Sequence, residues 1–195
     1  MNDSIRKIGT KELVACALFT ALIAVGAFIK IMIPLGPFAV TFSLQFFFAL
    51  MAGFLLGPVN GLMSVLLYLF IGLIGIPIFA HGGGPGYLMR PTFGFLIGFA
   101  AAAYVVGRLS KDLRAMPLRH MIAAAFAAEM AYYACGLVYY FVMFNYVVPG
   151  VAGIGLSELF SVWFFSTVIP DFALCVAAAL AADRIRPHIG LPRRR

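Results

Sequence analysis

The stretch TFSLQFFFALMAGFLLGPVNGLMSVLLYLFIGLIGI, residues 41–76, decides the fold of this protein. It contains no Asp, Glu, Lys or Arg, and the uncharged run around it covers residues 31–89. A helix of about 20 apolar residues spans the hydrocarbon core of a bilayer. The run therefore has room for two spans, with a turn at Gly57-Pro58-Val59-Asn60. Its apolar residues are continuous, which excludes the period-two alternation of a transmembrane β-barrel.

The composition of the whole chain agrees with this interpretation. Of its 195 residues, 64% are hydrophobic and 11% are charged. A soluble domain is about half apolar and a quarter charged, so soluble and disordered classes are excluded. Six spans would use roughly 120 residues. We predict an all-α integral membrane protein with six transmembrane helices in a single transmembrane domain, residues 1–195. The predicted spans are about 13–33, 40–56, 60–76, 91–108, 120–144 and 158–182, followed by a basic C-terminal tail, 183–195.

The positive charges predict a topology. The formal net charge is +7, and 12 of the 14 Lys and Arg residues fall in three clusters. The clusters are Arg6, Lys7 and Lys11; Arg108, Lys111, Arg114 and Arg119; and Arg184, Arg186 and Arg193 to Arg195. Each flanks an apolar segment, as the positive-inside rule expects of cytoplasmic loops and termini. We expect a multi-pass membrane protein with both termini cytoplasmic. The charges indicate contact with the lipid bilayer and not with nucleic acid.

Asp171 is the clearest candidate for a functional side chain. It follows Pro170 within an otherwise uncharged run. An ionisable residue inside a span is costly to desolvate and is a functional candidate by default. A proline there bends the helix, which is tolerated mainly where the interior is polar or lines a cavity. Asp171 is therefore a candidate ligand-binding residue; the alternative is a buried structural pair with Arg90 or with a backbone group.

Arg90 and Gln45 are further candidates. Arg90 ends a glycine-rich loop, and its guanidinium suits a carboxylate or a phosphate; the alternative is a headgroup anchor. Gln45 lies in an apolar stretch and needs a hydrogen-bonding partner if it is buried, either a ligand or a loop. Glu129, in the middle of the fifth span, could be a ligand, a proton carrier or the partner of a buried base. Lys30 is interpreted as an end residue whose ammonium reaches the interface.

No catalytic motif is recognisable. The run Gly82-Gly83-Gly84 after His81 has no accompanying G-x-S-x-G, G-x-x-x-x-G-K-[ST] or H-E-x-x-H sequence. We expect this loop to form a flexible lid over an outward-facing pocket. The sequence predicts no enzyme, no metal site and no cofactor, and any ATP-driven step must come from a partner. In the first span, Ala17 and Ala21 form a small-x-x-x-small motif, which could admit a partner helix or serve packing within the chain.

The chain resembles the BioY family, the biotin-specific substrate-binding (S) components of energy-coupling factor (ECF) transporters. The resemblance covers most of the chain, and its central block is the specific part. The matching stretches are Thr41–Gln45, Leu50–Pro58, Ser64–Leu69, Gly72–Ala80, Arg90–Phe99, Tyr133–Gly136 and Pro170–Asp171.

The resemblance implies an ECF S-component-like bundle of six helices that captures biotin outside the cell and mediates its uptake. A transmembrane coupling subunit and two ATPase subunits would be its partners, with Ala17 and Ala21 as the docking motif. In the family, a carboxylate at the position of Asp171 and polar groups of the loop between spans three and four hold the ureido ring. Biotin is then a transported ligand, not a cofactor.

Roles for other pocket residues are inferred from their chemistry and not from the resemblance. Arg90 is expected to serve the pocket, through the valerate carboxylate, and Tyr87 to pack on the apolar part of the ligand. His81 stands where family members often carry Asn or Gly. Many relatives also have a Gly between the Pro and the Asp, and a Lys three residues further on. Here Pro170 directly precedes Asp171, and Leu174 occupies the later position.

Two alternatives to the biotin assignment stay open at this point. The nearest is an S component for another vitamin. The other, from a different functional class, is an intramembrane hydrolase that uses Asp171 or Glu129. Such an enzyme needs a second catalytic group converging on either carboxylate, and no spacing in the sequence supplies one.

Overall fold

The fold is a bundle of six helical segments with a short β-hairpin. A computed structural model describes residues 9–35, 38–110, 116–148 and 153–187 of the chain. Some of the Lys and Arg residues on which the topology prediction rests, those at 1–8, 111–115 and 188–195, lie outside these ranges. The elements are α1 (Thr10–Phe28), β1 (Lys30–Leu35), β2 (Phe38–Ser43), α2 (Gln45–Leu56), α3 (Pro58–Leu73), α4 (Phe93–Leu109), α5 (Leu118–Val142), α6 (Leu156–Phe160) and α7 (Val168–Ile185). The count of six treats α6 and α7 as one segment.

The predicted all-α class and the six-helix count are confirmed. The third, fourth and fifth segments begin and end within about three residues of the predicted bounds. The turn between α2 and α3 occurs at Gly57, whose φ of 81° favours glycine, and Pro58 is the first residue of α3.

The first and second segments are shorter than predicted. An antiparallel hairpin begins directly after Ile29, with Lys30 paired to Ser43 and Leu35 to Phe38. It takes up most of residues 29–33 and 40–43, for which the sequence predicts helix. The helical prediction for these residues is wrong. Ile31, Ile33, Val40 and Thr41 are β-branched and favour strands, and Pro34 cannot continue a helix. A continuous apolar run does not by itself distinguish a buried strand from a helix.

The sixth segment is interrupted just before Asp171. After α6, a π-helical stretch covers Ser161–Phe165, and α7 begins at Val168. Pro170 therefore lies in the first turn of α7, where its missing N–H removes no helical hydrogen bond. As a result, Asp171 lies at the N-terminal end of a helix near the centre of the segment, where the helix dipole favours a negative charge by about 0.3–1 kcal/mol.

Close helix crossings hold one end of the bundle together. A Cβ added to Gly53 of α2 would lie 2.3 Å from the carbonyl oxygen of Ala103 in α4, and one on Gly107 would lie 2.6 Å from the backbone nitrogen of Pro58. Small residues allow such close approach of membrane helices. At the same end, the Arg186 guanidinium donates to the carbonyl of Met116 (2.6 Å), which ties the end of α7 to the start of α5.

Three of the helical segments are long and apolar enough to cross a membrane. They are Thr10–Phe28, Leu118–Val147 and Leu156–Ile185. The other three apolar helices, α2, α3 and α4, have 10–17 residues each. The second segment is short because the hairpin replaces its predicted first turns. Together the six apolar helices make this a multi-pass membrane protein.

Candidate functional site

A cavity of about 280 Å³ opens at the end of the bundle opposite the glycine crossings. Its volume is close to the lower end of the roughly 300–1,000 Å³ that is typical of small-molecule sites. The structure brings all five predicted substrate-binding residues to this cavity: Gln45, His81, Tyr87, Arg90 and Asp171. The other lining residues are Thr41, Phe42, Ser43, Phe46, Ala80, Thr92, Phe95, Leu96, Phe99, Tyr132, Trp163 and Thr167. Aromatic and aliphatic side chains make up about half of this wall, and polar or charged side chains that could orient a small molecule make up the rest.

Asp171 presents its carboxyl group at one side of the cavity. The residue is buried, with 7% of its surface exposed. Its Oδ2 lies 2.6 Å from the hydroxyl oxygen of Tyr133 in α5, and that hydroxyl lies 2.7 Å from Oγ1 of Thr167. Thr167 donates to the carbonyl of Trp163 at 2.7 Å. The carboxyl group is thus held in place from one side and keeps hydrogen-bonding capacity toward the cavity.

Asp171 does not form the predicted alternative pair with Arg90. Within the described ranges, no Lys, Arg or His lies within the 4 Å of an ion pair with its carboxylate. The structural-pair interpretation is therefore wrong for Arg90. A buried carboxyl group without a cation at its side is costly to keep in a fold, and this favours a role toward the cavity.

Gln45 is buried and is held by two neighbouring side chains. It is the first residue of α2, and Leu44 alone separates it from the end of the hairpin. Its Nε2 donates to the Tyr68 hydroxyl at 2.5 Å, and its Oε1 accepts from Ser43 at 3.1 Å. The partner that its burial requires is therefore Tyr68 of α3. Each amide atom keeps one further hydrogen-bonding position, which leaves Gln45 able to contact a bound molecule.

The loop between α3 and α4 forms part of the cavity wall. Phe79 anchors this loop, because its side chain is only 1% exposed. Its ring packs directly on Gly72, where an added Cβ would lie 2.1 Å from Cζ of the ring. The ammonium of Lys30 donates to the carbonyl of Ala80, which joins the hairpin to the loop. Lys30 is thus a structural contact of the loop and not a side chain that extends freely to the interface.

Arg90 and Tyr87 of this loop form a cation–π pair. The guanidinium carbon of Arg90 lies 5.1 Å from the centroid of the Tyr87 ring, within the range of a cation–π contact. Burial raises the pKa of Tyr87, while the positive charge of Arg90 partly offsets this effect. Burial also lowers the pKa of His81, and the charges of Lys30 and Arg90 act in the same direction. Near neutral pH, His81 is therefore an uncharged imidazole and Arg90 supplies the positive charge.

Sequence reasoning missed several residues of the cavity. Trp163 and Tyr132 line the cavity, although the sequence analysis singles out neither of them as a site residue. Thr167 was not singled out, although it precedes Asp171 by one helical turn and lies on the same face. That four-residue spacing between a hydroxyl and a carboxyl group was the available signal.

Glu129 does not belong to the cavity wall. It is fully buried on α5, one turn from Tyr133, and Cys175 of α7 approaches its Oε2 with a sulfur–oxygen distance of 3.6 Å. Its Oε1 has no hydrogen-bonding partner, and no basic side chain pairs with it in the described part of the chain. Its role as the partner of a buried base is therefore not supported.

Comparison with known proteins identifies the fold and the family. A sequence model of the BioY family matches residues 1–190. The chain belongs to the BioY family. Its relatives include a probable biotin transporter BioY from Lysinibacillus sphaericus, 41% identical over 93% of this chain and 89% of that protein. Biotin transporter BioY from Thermotoga maritima is 36% identical over 90% of this chain and 96% of that protein.

A solved structure of an S-component for biotin has the same fold. The crystal structure of the S-component for biotin from an ECF-type ABC transporter superposes with a TM-score of 0.76. The superposition covers 96% of this chain and 95% of that chain, at 24% identity. The resemblance predicted from the central block is thus confirmed at the level of the family and of the S-component fold.

Proposed function

We propose that this protein is the biotin-binding S component of an ECF transporter, a membrane subunit that captures biotin outside the cell and mediates its uptake. The observation that carries the proposal is one cavity that collects Asp171, Gln45, Arg90, Tyr87 and His81 within a member of the BioY family. The names of the relatives, biotin transporters, support transport over an intramembrane hydrolase.

The chemistry of the cavity matches the chemistry of biotin. The ureido ring carries two N–H donors and one carbonyl, and the Asp171 carboxyl group can accept from those donors. Gln45 can donate or accept beside it. Arg90 is placed at the mouth, where its guanidinium suits the valerate carboxylate. Tyr87, Phe95 and Trp163 offer aromatic surface for the apolar ring and chain.

Equilibrium binding to purified, detergent-solubilised protein tests the ligand. We expect saturable, tight binding of biotin and no competition from thiamine or riboflavin. Folded protein that binds thiamine or riboflavin but not biotin would instead assign it to another vitamin. Conversion of any of these molecules during the assay would revive the hydrolase alternative.

We propose further that the termini face the cytoplasm, so that the cavity opens outward. Arg108 at the end of α4, Arg119 at the start of α5 and Arg184 at the end of α7 are exposed. They lie at the bundle end that carries the glycine crossings, opposite the cavity. This distribution follows the positive-inside rule. A reporter fused after Arg195 should be active only in the cytoplasm, and activity outside the cell would reverse the orientation.

The docking face for a coupling subunit is proposed on α1. Ala17 and Ala21 are exposed one turn apart, whereas Phe19, Thr20 and Ile23 are buried in the bundle. Within the described part of the chain the two alanines are not covered by another helix, and their small side chains leave room for a close helix contact.

Replacing Ala17 with Trp should disrupt this contact and spare the ligand site. We expect Ala17→Trp to bind biotin like the wild type, because the position is far from the cavity, and to lose co-purification with a coupling subunit and its two ATPases. Val138→Trp, at an exposed position on α5 and away from the proposed docking face, is the matched control and should keep both binding and assembly. Retained assembly of Ala17→Trp would move the docking face elsewhere.

A further inference from the structure

Three short oxygen–oxygen contacts connect Asp171 to the backbone of the sixth segment. Asp171 Oδ2 lies 2.6 Å from the Tyr133 hydroxyl, Tyr133 lies 2.7 Å from Thr167 Oγ1, and Thr167 lies 2.7 Å from the Trp163 carbonyl. All three distances are typical of O–H···O hydrogen bonds. Two oxygens at this separation repel each other unless a hydrogen lies between them. The chain of contacts therefore requires three hydrogens.

The side chains supply three hydrogens only if Asp171 is protonated. Tyr133 and Thr167 carry one hydroxyl hydrogen each, and a backbone carbonyl carries none. With an ionised Asp171, one of the three contacts lacks a hydrogen however the hydroxyls rotate. With a carboxylic acid, Asp171 donates to Tyr133, Tyr133 to Thr167, and Thr167 to the Trp163 carbonyl. Every contact is then a hydrogen bond.

The surroundings of Asp171 also disfavour its anion. The groups that face it are Glu129, Tyr132 and Tyr133 from α5, Cys175 and Thr167 from its own segment, Gln45 from α2, and His81, Tyr87 and Arg90 across the cavity. Of these, only Arg90 is a cation near neutral pH, and it forms no ion pair with Asp171 in the described structure. The helix dipole of α7 favours the anion by about 0.3–1 kcal/mol, but no full positive charge close by offsets the desolvation of the buried carboxyl group.

We propose that Asp171 holds a proton while the cavity is empty and releases it to solvent when biotin binds. The identity of the ligand rests on the proposed function; the protonation of the empty site does not. The two ureido N–H groups are stronger partners for a carboxylate than for a carboxylic acid, because a charge-assisted hydrogen bond is about twice as strong. In this step the protonated Asp171 and biotin form a complex in which Asp171 is a carboxylate. One proton is released, and it passes through the opening of the cavity to water.

This coupling fixes the sign of the pH dependence. Because the empty site holds one proton more than the occupied site, a rise in pH favours binding, by about tenfold in affinity per pH unit while the empty Asp171 stays protonated. The biotin carboxyl group does not contribute near neutral pH, because an ordinary carboxylic acid is ionised above about pH 5. His81 does not contribute either, since its pKa is lowered by burial and by the nearby cations.

Calorimetric titration with biotin in two buffers of different ionisation enthalpy measures the released proton. Near neutral pH, we expect release of about one proton per biotin by the wild type and none by Asp171→Asn. No release, or proton uptake, by the wild type would overturn the proposal. Release of a whole proton by Asp171→Asn would also overturn it, because the proton would then come from another group.

A variant of the contact chain gives a sharper test. Thr167→Val removes one hydroxyl and two of the three contacts, so the Tyr133 hydrogen alone satisfies an ionised Asp171. We expect this variant to release clearly less than one proton per biotin. Ser166→Ala, which removes a hydroxyl from the same segment outside the cavity and outside the chain of contacts, should release as much as the wild type. Equal release by both variants would contradict the hydrogen count.

Infrared spectroscopy of the empty protein separates this proposal from the proposed function. The wild-type spectrum minus that of Asp171→Asn should contain the carbonyl band of a protonated carboxylic acid, and Glu129→Gln should keep that band. A carboxylate band in its place would overturn the proposal whether or not biotin binds. If the acid band is present and folded protein binds no biotin, the protonated site stands and the proposed ligand fails.

Discussion

Replacing Asp171 with Ala or Asn is expected to weaken biotin binding by one to two decades in affinity. The carboxyl group is the acceptor that faces the cavity beside the chain of contacts with Tyr133. Losing a hydrogen bond to a charged group costs about 1.5–3 kcal/mol, and 1.4 kcal/mol corresponds to a tenfold change in affinity. Equilibrium binding to detergent-solubilised protein measures the loss.

The two substitutions at Asp171 separate charge from shape. Asn has nearly the same shape and keeps a carbonyl acceptor, so its affinity should lie between those of the wild type and the Ala variant. Glu129→Gln is the matched control, since it changes the other buried acid of this region without altering the cavity wall. Its affinity should equal that of the wild type. Unchanged binding by both Asp171 variants would place the ureido ring elsewhere in the cavity.

The sequence predicted the helices well where length and charge suffice. The uncharged run and the basic clusters identify a six-helix membrane protein, because the cost of burying charge in lipid leaves few alternatives. The hairpin at residues 30–43 could not be predicted in the same way. Its residues are as apolar as those of a helix, and the pairing of Lys30 with Ser43 depends on the surrounding bundle.

The candidate site shows the same division. Asp171 and Arg90 were predictable because ionisable residues inside apolar segments are rare. The role of Tyr133 could not be predicted, since its contact with Asp171 joins residues 38 positions apart on different helices. Trp163 was missed because an aromatic residue near a span end is usually an interfacial anchor. The interruption before α7 turns this part of the segment toward the cavity, and its π-helical geometry has no clear sequence signal.

The glycine crossing between α2 and α4 should be the most sensitive packing site of the bundle. A Cβ at Gly53 would lie 2.3 Å from the Ala103 carbonyl oxygen and 2.4 Å from Cγ1 of Val106. The first of these neighbours is backbone, so relief requires separation of the two helices. Overpacking of this kind costs about 1–3 kcal/mol. For a chain of this size, 1 kcal/mol shifts the thermal midpoint by about 2–4 °C.

We therefore expect Gly53→Ala to lower the thermal midpoint in detergent by about 2–12 °C. Fluorescence of Trp163, the only tryptophan in the chain, reports the transition from within the cavity wall. Gly86→Ala is the matched control, because a Cβ there meets nothing within 4 Å, and it should leave the midpoint unchanged. Because α2 also carries Gln45, separation of α2 from α4 should weaken biotin binding as well. An unchanged midpoint for Gly53→Ala would mean that α2 and α4 can move apart without loss, and that the bundle is held together elsewhere.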